Sequence, residues 1–242
     1  MTTTDERRAE LAANLARVSA RIAAACRAAG RDPAQVTLVA VTKTYPAADV
    51  LRLAQLGVRD IGENRDQEAA PKAAAVAASD ADVRWHFVGQ LQRNKCRSVA
   101  RYAYAVHSVD RLPLVDALAR AGDAALDAGH RQAPVEVLLQ VSLDGDPSRG
   151  GASREDLMAL ADAVAARPSL RLAGLMAVAP LHWAPERAFA LLADVAAGIR
   201  AAHPAATALS AGMSHDLEAA LAHGATHVRI GSALLGNRAP VR

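Results

Sequence analysis

The first regular feature of the chain is a helical repeat of apolar positions. Leu11, Leu15, Val18 and Ile22 follow one another at intervals of four, three and four, which is one face of a helix. The spacing predicts a helix over 5–29, closed by Gly30 in a C-cap and followed by Pro33 in a loop. From there short apolar runs alternate with helically patterned segments. Eight runs read as strands: 37–42, 58–62, 83–89, 102–108, 135–141, 171–178, 206–212 and 226–231. The segments 47–56, 64–77, 92–100, 110–127, 153–166, 185–202 and 214–222 read as helices. This alternation predicts an α/β fold, a single (β/α)₈ TIM barrel with an extra N-terminal helix. A doubly wound open sheet of eight strands is the alternative the pattern leaves open. No linker, composition shift or fixed-period repeat divides the chain, so one domain is expected over 1–242. The glycine-rich stretch 142–153 reads as a loop beyond the fifth strand.

Composition narrows the functional classes. Half of the 242 residues are apolar, enough for a large core, and the net charge of +3 is spread without a run of like charges. That balance suits an anionic small molecule. No basic stripe interleaved with aromatics argues for nucleic acid. Cys26 and Cys96 form no CxxC pair and read as reduced, packed thiols. The N-terminus has no apolar signal region, and no run of 18 apolar residues spans a membrane, so a cytoplasmic location is expected. No HxxH or HExxH occurs, and no metal site is expected.

Among the 28 basic residues only Lys43, Lys72 and Lys95 are lysines. Lysine, unlike arginine, can lose its proton and attack a carbonyl, so Lys43 at the end of the first strand is a candidate for amine chemistry. In a barrel, sites form at the C-terminal ends of strands. There lie Gly62, Glu63 and Asn64 after strand two, the stretch 210–216 after strand seven and 231–236 after strand eight. The last two place glycine and serine between strand and helix, where backbone N–H groups and the hydroxyls of Ser214 and Ser232 can meet a phosphate. Strand alternation puts Arg229 inside the barrel, with Glu63 or a ligand acceptor as its expected partner. A buried amine at Lys43 near a phosphate cradle points to an aldehyde that carries phosphate. Pyridoxal 5′-phosphate is one such molecule; a barrel aldolase acting on a sugar phosphate is the competing reading.

The motifs AVTKTYP, GENRDQE, WHFVGQLQRNK, HSVDR, LLQVSLDGDPSRGG, GLMAV, LSAGMSHDLEAAL and VRIGSALLGNR occur in one order from about residue 5 to 238. In these the chain resembles the pyridoxal phosphate homeostasis protein family, also called the YggS-like or proline synthase co-transcribed family. The resemblance implies the barrel of the alanine racemase N-terminal domain, fold type III among enzymes of this cofactor. It implies the cofactor as an imine on Lys43, with Ser214, Gly231 and Ser232 at its phosphate, Met213 lending backbone and Arg229 facing the pyridine nitrogen. Asn64 joins them as a cofactor contact. Arg65, Gln90, Arg93, Ser232 and Leu235 depart from the family's commoner residues; the serine keeps the hydroxyl a phosphate needs.

The implied role is a non-catalytic carrier or buffer in intracellular cofactor homeostasis, with apo-enzymes as candidate recipients and a monomer expected. An amino-acid racemase-like enzyme is the alternative. Racemases draw a second base, a tyrosine, from another domain. The only tyrosines here are Tyr45, Tyr102 and Tyr104, and the chain stops a few residues past the last barrel helix. An arginine at the pyridine nitrogen leaves it unprotonated, a weaker electron sink. His86, His107 and His215 read as structural hydrogen-bonding residues, Lys95 as a charge at a helix start, and Lys72 as a solvated helix residue.

Overall fold

The computed structural model describes residues 4–79, 81–146 and 149–236. The motif residues Pro147, Ser148, Asn237 and Arg238 lie outside that set. Eight parallel strands close into a barrel in sequence order: β1 (Thr37–Val41), β2 (Asp60–Glu63), β3 (Arg84–Phe87), β4 (Ala103–Val109), β5 (Val135–Gln140), β6 (Leu170–Met176), β7 (Ala208–Ser210) and β8 (His227–Ile230). Closure is made by β1 against β8, with Val39 opposite Arg229. The open-sheet alternative is thereby excluded.

After α1 (Thr4–Ala28), the helices α2 (Ala47–Gln55), α3 (Asp66–Ala77), α4 (Cys96–Tyr102), α5 (Leu112–Asp127), α6 (Leu157–Ala165), α7 (Pro185–Ala202), α8 (Leu217–Ala222) and α9 (Ser232–Leu235) form the outer layer. The helices α6 and α8 begin four and three residues later than their sequence pattern. Ser153 and Asp156 tie one start into a side-chain turn, and Asp216 ties the other to the Met213 amide. Among the described residues no helix is long and apolar enough to cross a membrane.

Period-two alternation sorts the two cores. On β5, Val135, Val137 and Leu139 join the large core between strands and helices, while Leu138 belongs to a small separate cluster with Ala105 and Met176. That small cluster, with Ala173 and Ala208, fills only part of the barrel interior, which also holds the buried side chains of Val39, His86, His107, Ser210 and Arg229. At Gly174 the strands β6 and β7 come so close that a Cβ would lie 1.8 Å from the Ala208 carbonyl oxygen.

The extra helix α1 compensates for the short α8 and α9, which leave the β7–β8 side thinly covered. It buries Leu11, Val18, Ile22 and Cys26 there. Asn14 donates to the Leu234 carbonyl at 2.9 Å, and Arg31 to the carbonyls of Leu221 and Ala225.

Candidate functional site

Lys43 lies beyond β1, in a turn closed by the Tyr45 N–H on the Thr42 carbonyl at 3.0 Å. Thr44 takes φ 67°, a left-handed conformation that costs a threonine roughly 1 kcal/mol or more. Its amide is held at 3.0 Å by the Glu68 carboxylate. The strand ends two residues before Lys43, so alternation no longer fixes the side chain, and Lys43 is exposed at the barrel mouth rather than buried as the sequence reading had it.

The buried lysine is Lys72, only 8 % exposed, where a solvated helix residue was expected. It forms an ion pair with Glu63 and donates to the Thr42 carbonyl at 2.9 Å. Thr42 Oγ1 donates to the same Glu63 carboxylate at 2.6 Å. A carboxylate at the end of a strand buried on both faces needs a cation. Glu63 carried that signal, and the helix that follows it supplied the partner.

With Glu63 occupied, the expected Glu63–Arg229 pair does not form. Arg229 points into the barrel and donates to Ser210 Oγ at 2.7 Å and to the Ala177 carbonyl at 2.9 Å. Burial pulls its guanidinium down to about 10, against the pull of Asp216, so it is cationic at neutral pH. A guanidinium has five N–H donors, and these contacts use one on each terminal nitrogen.

The turns after β7 and β8 bring Ser232 Oγ within 3.5 Å of Ser214 Oγ. A Cβ at Gly231 would meet nothing closer than the Val41 carbonyl oxygen at 3.5 Å, so its absence leaves a cradle in the backbone. Met213 differs from its expected part. Its amide donates to Asp216 Oδ1 at 2.6 Å, so the turn's own carboxylate holds that N–H. A groove of about 640 Å³ runs from the two serines to Arg17 and Arg21 on α1, past Asn14 and His215. The two arginines, one turn apart on α1, were not singled out in the sequence. Their spacing was visible, but the docking of α1 against the serine turns was not.

Asn64, at the end of β2, presents a buried Oδ1 with no hydrogen-bond partner among the described residues. Its backbone packs on Gly89, where a Cβ would lie 2.1 Å from the Asn64 carbonyl oxygen. Arg65, Gln90 and Lys95 line a groove of about 340 Å³ beside it, with Lys95 4.0 Å from Asp66.

The Tyr45 hydroxyl donates to the Gly236 carbonyl at 2.6 Å, fastening the lysine turn to the end of α9. Tyr102 donates to Asp66 at 3.2 Å. Tyr104 lies near the N-terminal end of β4 with the Arg84 guanidinium 5.4 Å over its ring. His86 and His107 are buried and hydrogen-bonded to one another at 2.9 Å.

One mouth thus joins an exposed amine, two facing hydroxyls, an unsatisfied amide oxygen and a buried guanidinium. That donor set fits an aldehyde bearing an anionic group and a ring acceptor.

A family model described as the alanine racemase N-terminal domain matches residues 13–239. The pyridoxal phosphate homeostasis protein of Mycobacterium leprae is 47 % identical over 242 residues, covering 96 % of this chain and 94 % of that protein. Its namesake in Escherichia coli K12 is 39 % identical over 237 residues, covering 95 % and 97 %. The structure of PipY from Synechococcus elongatus PCC7942 with PLP bound matches with a TM-score of 0.79 at 33 % identity, over 93 % of this chain and 100 % of that one. Alanine racemase from Corynebacterium glutamicum matches with a TM-score of 0.65 at 15 % identity, over 93 % and 60 %, a likeness of fold alone.

Proposed function

The chain belongs to the pyridoxal phosphate homeostasis protein family, and from that premise we propose that it holds pyridoxal 5′-phosphate reversibly as a Schiff base on Lys43 and serves cofactor supply, not catalysis. The observation that carries this reading is the convergence of the Lys43 turn, the Ser214 and Ser232 hydroxyls and Arg229 on one barrel mouth.

Each residue has a defined task. Lys43 supplies the amine, and its exposure lets the aldehyde reach it and water release it again. Ser214, Ser232 and the Gly231 backbone receive the phosphate, with Arg17 and Arg21 placing positive charge along the groove that leads there. The Met213 amide would join them if it turned from Asp216 Oδ1, its partner in the turn. Arg229 would donate to the ring nitrogen with an N–H that Ser210 and Ala177 leave unused. Asn64 Oδ1 accepts from a hydroxyl on the ring, which relieves its unsatisfied state. When bound, the cofactor supplies an electrophilic aldehyde and an electron-withdrawing ring.

The carrier reading is favoured by the tyrosines. The hydroxyls of Tyr45 and Tyr102 are committed to Gly236 and Asp66, and Tyr104 lies near the opposite end of the barrel. None of the three faces Lys43 as a free second base. The proposal extends to a cytoplasmic monomer that passes the cofactor to apo-enzymes.

The visible spectrum of purified protein, before and after borohydride, tests it, with mass spectrometry of the reduced form locating the adduct. An imine band abolished by Lys43→Ala, and no turnover of D- or L-amino acids, is expected. An adduct on another residue defeats the reading, and exchange of an amino-acid α-proton replaces the carrier by a racemase-like enzyme.

A further inference from the structure

The barrel interior contains a continuous line of hydrogen bonds that the cofactor reading does not use. Arg229 Nη1 reaches Ser210 Oγ at 2.7 Å, and Ser210 Oγ lies 2.9 Å from His107 Nδ1. His107 Nε2 lies 2.9 Å from His86 Nδ1, and His86 Nε2 lies 2.8 Å from Asp60 Oδ1. The line begins under the proposed pyridine position and ends at the opposite mouth of the barrel, where Arg84 pairs with Asp60 at 2.6 Å.

With both rings neutral, its two ends fix every bond in between. A guanidinium only donates, so Ser210 Oγ accepts from Arg229. The serine proton then points to His107 Nδ1, which must be an unprotonated acceptor. A neutral His107 carries its proton on Nε2 and gives it to His86 Nδ1. His86 is then protonated on Nε2 and donates to the Asp60 carboxylate, which only accepts when ionised. Burial pushes the Asp60 carboxyl up, but its hydrogen bonds with His86 and Arg84 outweigh that and hold it below the usual range. All four bonds are satisfied in one direction and in no other with both rings neutral.

The line also reaches solvent at its far end. A cavity of about 160 Å³ at the N-terminal mouth, lined by His86, His107, His227, Tyr104, Glu136 and Arg171, has room for a few waters. The charged and titratable groups around the two rings are Asp60 on β2, Arg84 on β3, Tyr104 on β4, Glu136 on β5, Arg171 on β6, and His227 and Arg229 on β8. Both carboxylates there are already paired, Asp60 with Arg84 and Glu136 with Arg171. Asp60 presents its other oxygen to His86, so among the described residues no carboxylate faces His107.

We propose that His107 and His86 are positioning residues for the cofactor's ring nitrogen: acting through Ser210, they hold the Arg229 guanidinium in line, and they do so as neutral Nε2–H tautomers. If His107 were protonated, its Nδ1–H would also point at Ser210 Oγ. The serine would then face two donors, and its own proton would have to leave the line.

This inference rests on the cofactor reading above, so two measurements separate them. In the apo protein, nitrogen-15 NMR of the imidazoles at neutral pH is expected to show His86 and His107 protonated on Nε2. An Nδ1–H tautomer at either overturns the proposal whatever the protein binds. In the holo form, affinity is compared for pyridoxal phosphate and for its analogue with CH in place of the ring nitrogen. Ser210→Ala is expected to weaken pyridoxal phosphate about tenfold and to leave the analogue within about twofold, with Ser210→Thr restoring the loss. Equal losses for both compounds would mean a merely structural serine and overturn the proposal. Binding of neither compound by the wild-type protein defeats the cofactor reading itself, while the tautomers still decide whether the line exists.

Discussion

Lys72 donates to the carbonyl oxygen of Thr42 at 2.9 Å, one residue before Lys43. The turn thus holds one lysine within it and takes a hydrogen bond from another on α3, and the two differ in burial and pairing. Lys72 is buried and neutralises Glu63 through Oε1, while Glu63 Oε2 has no hydrogen-bond partner among the described residues. Lys43 is exposed, and its side chain lies outside that network. Removing Lys72 as Lys72→Met leaves a buried carboxylate uncompensated and is expected to cost about 3–5 kcal/mol. Lys43→Ala is expected to shift stability by about 0.5 kcal/mol or less. Urea titrations of both apo variants check the contrast, and equal destabilisation would remove the distinction between anchor and reactive amine.

The approach of Gly89 to Asn64 makes a second contrast. A Cβ at residue 89 would lie 2.1 Å from the Asn64 carbonyl oxygen, and backbone there cannot yield as a side chain tip would. Gly89→Ala is expected to lower stability by about 1–3 kcal/mol and to impair cofactor retention by displacing Asn64. Gly198, inside α7, meets nothing within 4 Å, so Gly198→Ala is expected to gain about 0.5–1 kcal/mol. Thermal melts of the pair, with retention measured by spectrum, read both effects.

The barrel was legible because its signals are local. Apolar runs of strand length, separated by helical patterns, placed all eight strands, and period two correctly turned Arg229 inward. What failed depended on contacts across the mouth. Lys72 looked like a surface charge because its partner Glu63 and the Thr42 carbonyl lie on other elements. Glu63 looked available to Arg229 for the same reason. Lys43 looked buried because alternation was carried past Val41, where the strand stops. The line through Ser210, His107 and His86 was visible only as separate polar residues on strands three, four and seven. Parallel register had to bring them together.

The two thiols are expected to be inert in the folded protein. Cys26, on the inner face of α1, is fully buried. Burial pushes the Cys96 thiol up to about 11, against smaller opposing effects of Arg111 and Arg120. Since the thiolate is the nucleophile, iodoacetamide at neutral pH should label neither residue in native protein and both in denaturant. Native labelling of Cys96 would show that α4 opens readily, which its packing against α5 argues against.

Acid should destabilise the fold in two stages, with a sign fixed by burial. Burial pushes His107 well below its ordinary 6.5, helped by His86, His227 and Arg229. Burial first, then the nearby His86, lowers His227 to about 4, with Asp60 working the other way. Both rings are therefore neutral in the fold, while an unfolded chain protonates them as the pH drops through 6.5. Their contribution is complete above that pH and is lost as pH falls towards 4. For His227 it amounts to at most about 3 kcal/mol, reduced by solvent at the N-terminal mouth. Asp60, whose folded value lies below 3.8, adds stability that is complete above that pH and is lost only in stronger acid. Urea midpoints measured from pH 7.5 down to 4 should fall progressively, and His227→Gln should flatten the first part of the fall. A midpoint constant from pH 7 to 5 would mean that the buried imidazoles already carry charge. The direction of the hydrogen bond between His107 and Ser210 would then be wrong, because it depends on the His107 ring being neutral.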